Sequence, residues 1–462
     1  MTIDAAVKEN LRKRIIKAKD DLEQKNGKSL KDLLREKDLR MADAAQLKIP
    51  DRVPVTIQTN VFAVKYAGLP LSTMYYDHNA YRMASLLTAL EMDADTGGIG
   101  LFANSGTILE LLDSRTAAWP GGSLPPDTPY QFIEGEYMKQ DEYDIFLNDP
   151  SDFALRYYLP RVYGLLAPLP KLPPFKDAIG GFGIQGLAAI FASPEFRKIG
   201  DVLIKVNEEQ QRLNREQEEF SNEMMELGFP PEYIGAGGFG SSIMRGMTGS
   251  GGGVPVGGAP FDTISDFLRG MRGTMLDMYQ CPDKLLAACD MLLEWRMARA
   301  RPFSPDVNGN PPRLFIALHR GSDGFMSVKD FEKFYWPTLK TAMMKTIELG
   351  CILSPFFEGI WDQRLEYLLD FPKGKMVFHC ELTDVFRAKE IIGNRMCIQG
   401  GVPPTILQAG TPEEVDAHCK ELIEVVGKGG GLILGPGSAS DYARPENVKA
   451  MVEAARKYGQ YK

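Results

Sequence analysis

Leu314-Phe315-Ile316-Ala317-Leu318 running into His319-Arg320, and Cys351-Ile352-Leu353-Ser354-Pro355-Phe356-Phe357 running into Glu358-Gly359, open a series of five apolar runs that sets the architecture. Met376-Val377-Phe378 into His379-Cys380-Glu381, Met396-Cys397-Ile398 into Gln399-Gly400-Gly401, and Leu432-Ile433-Leu434 into Gly435 complete it. Amphipathic stretches long enough for a helix separate most of them. Short apolar runs bounded by turn signals read as buried parallel strands. Their alternation with helices predicts an α/β fold, a TIM-type (β/α)8 barrel. In such barrels chemistry gathers where strands end, which makes the terminal residue of each run a candidate.

Working outward, Asp51-Arg52-Val53-Pro54-Val55-Thr56-Ile57-Gln58 reads as a first barrel strand, with a polar exit at Gln58-Thr59-Asn60. Residues 1–49 form a charged N-terminal helical arm. Apolar positions such as Leu11, Ile15 and Ile16 fall at helical spacing, Asn26-Gly27 breaks the pattern, and a second helix starts at Ser29. Residues 50–462 are assigned to the barrel, with a helical and Gly-rich insertion at about 165–260. Its polar helical part, Leu187–Leu227, is expected to be a lid or insertion. Within it, Gly235-Ala236-Gly237-Gly238-Phe239-Gly240 fits the spacing of a dinucleotide-binding loop. That loop needs a buried strand immediately before it, and Pro230-Pro231 denies one. A mobile active-site loop is expected there.

The whole-chain balance narrows the function classes. A net charge of -8 without a basic patch argues against nucleic acid as a partner. No signal peptide or long apolar run is visible, and the six cysteines show no C-x-x-C spacing. Both features fit a cytoplasmic protein.

Side chains two apart on a strand share a face, so His379 and Glu381 point together and Cys380 points away. Histidine with a carboxylate at that spacing suits zinc. Glu358, ending the preceding strand, is expected within reach of the same ion, and His319 ends the strand before that one. The alternative is a metal-free polar cluster in which each histidine is held by a carboxylate. Asp323 and Asp384 are the expected partners that fix the imidazole tautomers. His418 and His78 read as a solvated helix residue and a loop residue.

Thr411-Pro412-Glu413-Glu414-Val415, Gly429-Gly430-Gly431-Leu432-Ile433-Leu434 and Arg444-Pro445-Glu446-Asn447-Val448 together resemble the C-terminal signature of the uroporphyrinogen decarboxylase superfamily. Asp51 through Val55 and Asp323 through Pro337 fit it as well. The resemblance implies a barrel with its cleft at the carboxyl ends of the strands. It also implies either cofactor-free decarboxylation of a tetrapyrrole or zinc-dependent methyl transfer involving a corrinoid.

Departures from each pattern decide between them. Decarboxylases proper carry Arg-Gln-Ala-Gly-Arg after the first strand, whose guanidiniums clamp carboxylates; here Gln58 through Lys65 contains no arginine. Methyltransferases acting on coenzyme M carry His-x-Cys and a later Gly-Cys; here stand His379-Cys380-Glu381 and Gly437-Ser438. The expectation is therefore a corrinoid-linked methyltransferase that demethylates an O-methyl donor such as a methoxylated aromatic. Glu358, His379 and Glu381 would hold the zinc. His319, Asp323 and Asp384 would serve the chemistry, and Gln58, Asn60, Arg320 and Gln399 the substrate. With no Asp-x-His-x-x-Gly in the chain, a separate corrinoid protein is the expected partner, and a homodimer is a fold-level expectation. The alternatives are a metal-free decarboxylase or lyase, with Asp323, His319 and Arg320 around a carboxylate, and a corrinoid- or tetrapyrrole-binding protein.

Overall fold

The computed structural model describes residues 3–57, 59–97, 105–179, 181, 183–233, 258–306 and 308–461. All five apolar runs are parallel strands, paired in chain order: β3 (Arg313–Leu318), β4 (Ile352–Phe357), β5 (Val377–Cys380), β6 (Cys397–Val402) and β7 (Leu432–Pro436). A two-residue antiparallel hairpin, β1 (Ala117–Ala118) with β2 (Gln131–Phe132), stands apart from them. Helices Trp336–Glu348, Val385–Ile392, Pro412–Val425 and Pro445–Tyr458 alternate with or follow the strands.

The strands alternate strictly. Leu314, Ile316, Leu318, Leu353, Phe357, Phe378, Ile398, Leu432 and Leu434 join the large core that faces the helices. Ile352, Val377, Cys397 and Ile433 take the opposite side, the interior of the curve. This period of two gives every strand one wall for helix packing and one for the cleft.

The segment before Gln58 extends the sheet beyond β7. Thr56 N–H donates to the Leu434 carbonyl and Leu434 N–H to the Pro54 carbonyl, both at 2.8 Å. Asp95 N–H then donates to the Val55 carbonyl at 2.9 Å, bringing residues 93–97 alongside. Opposite them, the Arg313 guanidinium of β3 holds the Glu232 and Pro231 carbonyls, each at 2.9 Å. The layout is thus the parallel α/β sheet expected, with one correction. Among the described residues the ladder has five strands, not the eight of a closed barrel, and residues 53–57 join its β7 edge through only two main-chain bonds.

The N-terminal arm belongs to this body. Its first helix, α1 (Ala5–Asn26), stops where Gly27 takes a left-handed φ of 60°. The second, α2 (Leu30–Ala45), starts on Ser29, whose hydroxyl accepts the Asp32 N–H. Met41, Ala44 and Ala45 of α2 pack against Ile352, Val377, Cys397 and Ile433, closing the interior. Small alanines allow the helix to come this close.

Charge locks the plug in place. The buried carboxylate of Asp95 accepts from Arg40 at 2.5 Å, from both terminal nitrogens of Arg52 at 2.8 Å, and from Val55 N–H at 2.8 Å. The expected lid helix, Pro194–Glu226, is also no free lid. Its Phe220 and Met224 enter a core shared with α1 and the helix His78–Met92. The Gly-rich stretch 235–258, read as an active-site loop, lies outside the described residues apart from Gly258.

Candidate active site at the strand ends

By alternation β3 sends Phe315 and Ala317 inward and carries His319 to the rim. Opposite it, the short helix Pro260–Thr263 widens into a π-helical turn over Ile264–Arg269. Asp262 of the helix and Ser265 and Asp266 of the wide turn meet His319 and Arg320. Asp262 accepts the backbone N–H groups of His319 at 2.9 Å and Arg320 at 3.1 Å, and the Tyr335 hydroxyl at 2.8 Å. Asp266 accepts the His319 Nδ1–H at 2.5 Å and the Arg320 guanidinium at 2.9 Å. Arg320 Nε also donates to the Ser265 hydroxyl at 3.0 Å.

His319 Nε2 lies 3.9 Å from Glu358 Oε2; the imidazole side chain is 18% exposed and that of Glu358 50%. Burial works against a charged imidazole here. The Asp266 hydrogen bond and the charges of Asp262, Asp266 and Glu358 outweigh it, lifting the His319 pKa to about 9. Burial raises the Asp262 carboxyl, and neighbouring Asp266 adds to the rise against the opposing pull of His319. Glu358 is raised by burial, with Glu381 adding to the rise and His319 opposing it. The arrangement is an imidazolium held among carboxylates, Asp266 at Nδ1 and Glu358 near Nε2.

His379 lies deeper. Its register partners are Phe356 and Gln399, its ring meets Phe356 edge-on at 5.0 Å, and its polar neighbour is the Pro436 carbonyl. Burial pushes its pKa down to about 4, so the imidazole is neutral. Glu381 is turned to the Gly359 N–H at 2.6 Å. Neutral imidazole and carboxylate are the right donors for zinc, but among the described residues no three His, Cys, Asp or Glu side chains stand where one ion could be held. The set Glu358, His379 and Glu381 does not fit a three-ligand zinc site in this arrangement.

The alternative reading, histidines held by carboxylates, describes His319 with different partners. Asp323 is bound to the buried guanidinium of Arg364 and to the Gln363 N–H, so it cannot orient an imidazole. Asp384 is a helix cap: its Oδ1 accepts the N–H groups of Phe386 and Arg387. Replacing Asp384 with alanine should therefore cost about 1 kcal/mol of stability, read as a lower urea midpoint, with chemistry at the rim unchanged. A loss of turnover at full stability would return Asp384 to the site.

Gln399 is buried inside, donating to Glu232 at 2.8 Å. Asn60 begins the helix Asn60–Tyr66, and Gln58 lies outside the described residues. His418 is no free surface residue, since its Nε2 meets the Gly401 carbonyl at 2.9 Å. His78 opens the buried helix His78–Met92 and sits 3.0 Å from Arg212. Sequence reading missed Asp262 and Asp266. Their four-residue spacing at a helix start was the available signal, and it also fits an ordinary solvated helix face.

Residues 247–458 match the family model described as uroporphyrinogen decarboxylase (URO-D). A uroporphyrinogen decarboxylase of Coxiella burnetii is 32% identical over 77 residues, 16% of this chain and 21% of that protein. One from Methylococcus capsulatus is 35% identical over 78 residues, 16% of this chain and 22% of that protein. The chain thus matches about a fifth of the length of these curated relatives. A solved methyltransferase from Methanosarcina mazei aligns with a TM-score of 0.51 at 19% identity, over 91% of this chain and 98% of that one, a likeness of fold. No helix among the described residues is long and apolar enough to cross a membrane.

Proposed function

On the premise that residues 247–458 carry the uroporphyrinogen decarboxylase domain, we propose that the chain is a methyltransferase of that superfamily. It moves a methyl group from an O-methyl donor to the Co(I) centre of a corrinoid carried by a separate protein. The observation that carries this reading is His319 at the end of β3, with Nδ1 held by Asp266 and Nε2 3.9 Å from Glu358.

An ether oxygen is a poor leaving group unless it is protonated as the carbon–oxygen bond breaks. Co(I) supplies the electron pair of the new Co–CH3 bond and becomes Co(III). The carbon–oxygen pair stays on oxygen, and the His319 proton converts it to an alcohol or phenol. Cobalt is already a strong nucleophile, so the protein's contribution is protonation and in-line positioning.

The charge of the rim supports methyl transfer over decarboxylation of a polycarboxylate. Asp262, Asp266, Glu358 and Glu381 gather there, and the guanidinium of Arg320 is already held by Asp266 and Ser265. Such a mouth disfavours an anionic substrate. A solved chain of similar fold is also named a methyltransferase.

The test is a panel of methyl ethers incubated with the protein and cob(I)alamin. The expected result is growth of the methylcob(III)alamin absorption with release of the demethylated alcohol. No methylation with any ether, joined to release of carbon dioxide from a carboxylated substrate, would replace this reading with decarboxylation.

A further inference from the structure

The most apolar helix of the insertion is also one the fold does not bury. In the helix Ile184–Phe191 no residue is buried, although Gln185 is its single polar side chain. Leu187 and Ile190 attach it to a small core of Leu166, Leu169, Leu172, Phe196 and Ile199. The remaining stripe, Ile184, Ala188 and Phe191 at helical spacing, faces out. Phe191 meets Phe196 edge-on at 5.6 Å, which joins this stripe to the start of the helix Pro194–Glu226. There Leu203, four residues on from buried Ile199, and its neighbour Ile204 continue the apolar surface outward. Ile179, Ile184, Phe191 and Ile204 are 80%, 60%, 53% and 60% exposed. Single exposed apolar residues are ordinary; a run of them on one helix pair marks a surface that something covers.

The charges around it select what that is. From Ile184 through Pro194 no residue is charged, and Lys176 stands before the run while Arg197, Lys198 and Lys205 follow it. These four cations are exposed and form no ion pair among the described residues. Of the nearby carboxylates, Glu195 is engaged by Lys171, leaving Asp177 and Asp201. The flanks therefore carry an excess of positive charge on a chain whose net charge is -8. A protein partner would need hydrogen bonds at about one per 100–200 Å² of interface, and this helix offers it one glutamine. Hydrocarbon asks for none, since the helix already satisfies its own backbone. Eight residues make a helix of about 12 Å, too short to cross a hydrocarbon core of about 30 Å, so it would lie along the surface.

We infer that the helix Ile184–Phe191, with Ile179 and Ile204 beside it, docks the chain on an anionic lipid membrane. The apolar stripe enters the boundary between headgroups and acyl chains, and Lys176, Arg197, Lys198 and Lys205 meet the phosphates. Docking requires nothing of the methyl-transfer site.

Co-sedimentation of the full chain with vesicles tests the inference. The two compositions are phosphatidylcholine alone and equal parts phosphatidylcholine and phosphatidylglycerol. Binding to the mixed vesicles is expected, at least tenfold tighter than to phosphatidylcholine alone. Ile184→Asp and Ile204→Asp should each weaken it about tenfold or more. Lys198→Glu combined with Lys205→Glu should weaken binding to the mixed vesicles by a similar factor and leave that to phosphatidylcholine unchanged. All of these side chains are exposed, so the melting temperature should hold in every variant. No binding to the mixed vesicles would overturn the inference, as would full binding by both aspartate variants. A wild-type dimer that Ile184→Asp splits into monomers, with no vesicle binding, would also overturn it and give the face to a second copy.

Discussion

Replacing His319 with alanine should lower the rate of methyl transfer roughly 100- to 10,000-fold, the usual contribution of a positioned general acid. The fold should survive, because His319 is an edge residue whose main-chain N–H keeps its bond to Asp262 in the variant. The pH profile separates this role from a structural one. A histidine whose pKa is raised to about 9 is loaded below that value and loses its proton as pH climbs through it. For the wild type, kcat/KM should therefore fall on the alkaline side near pH 9. Asp266→Asn removes the charge and the acceptor that hold the proton, so the alkaline limb should move down toward the ordinary histidine value of about 6.5. An alkaline limb that stays put in Asp266→Asn, or a His319→Ala enzyme with wild-type turnover, would remove His319 from the chemistry.

The second large effect is on stability. Asp95→Ala leaves the guanidiniums of Arg40 and Arg52 buried without their shared carboxylate, and loss of one member of a buried ion pair costs about 3–5 kcal/mol. The damage should spread, since the same residue ties α2, the extended segment 53–57 and residues 93–97 together. Chemical denaturation with tryptophan fluorescence would read it as a midpoint shift.

The wild-type protein should show the matching acid dependence. Burial pushes Asp95 up, but the charges of Arg52, Arg40 and Lys37 and the bonds from Arg52 pull its pKa down to about 2. A depressed carboxyl stabilises the fold fully above its unfolded value of about 3.9 and loses that contribution as pH falls through about 2. The difference is about 2 kcal/mol. An Asp95→Ala variant as stable as wild type would show that the plug is held by Met41, Ala44 and Ala45 alone.

What could be read from the chain follows the range of each interaction. The five strands were legible because each is an apolar run bounded by glycine, proline or polar residues, a local signal that burial then enforces. The break at Gly27 and the cap at Ser29 were legible for the same reason. The five-strand ladder was not, because whether residues 53–57 and 93–97 form full strands depends on partners far away in sequence. His319 and Glu358 were found from their positions after apolar runs, and they do meet at the rim. Their carboxylate partner was missed, because Asp266 is 53 residues from His319 and is brought there by a π-helical turn. Asp323 and Asp384 were plausible by proximity in sequence and were taken by Arg364 and a helix start instead.

Protonation of His319 can be read directly, because the chain has four histidines, each of whose ring signals can be assigned by substitution. A pH titration followed by heteronuclear NMR should find His319 charged at neutral pH and titrating near 9. A His319 that is already neutral at pH 7 would have no proton to give the leaving oxygen, and the proposed methyl transfer would lose its acid.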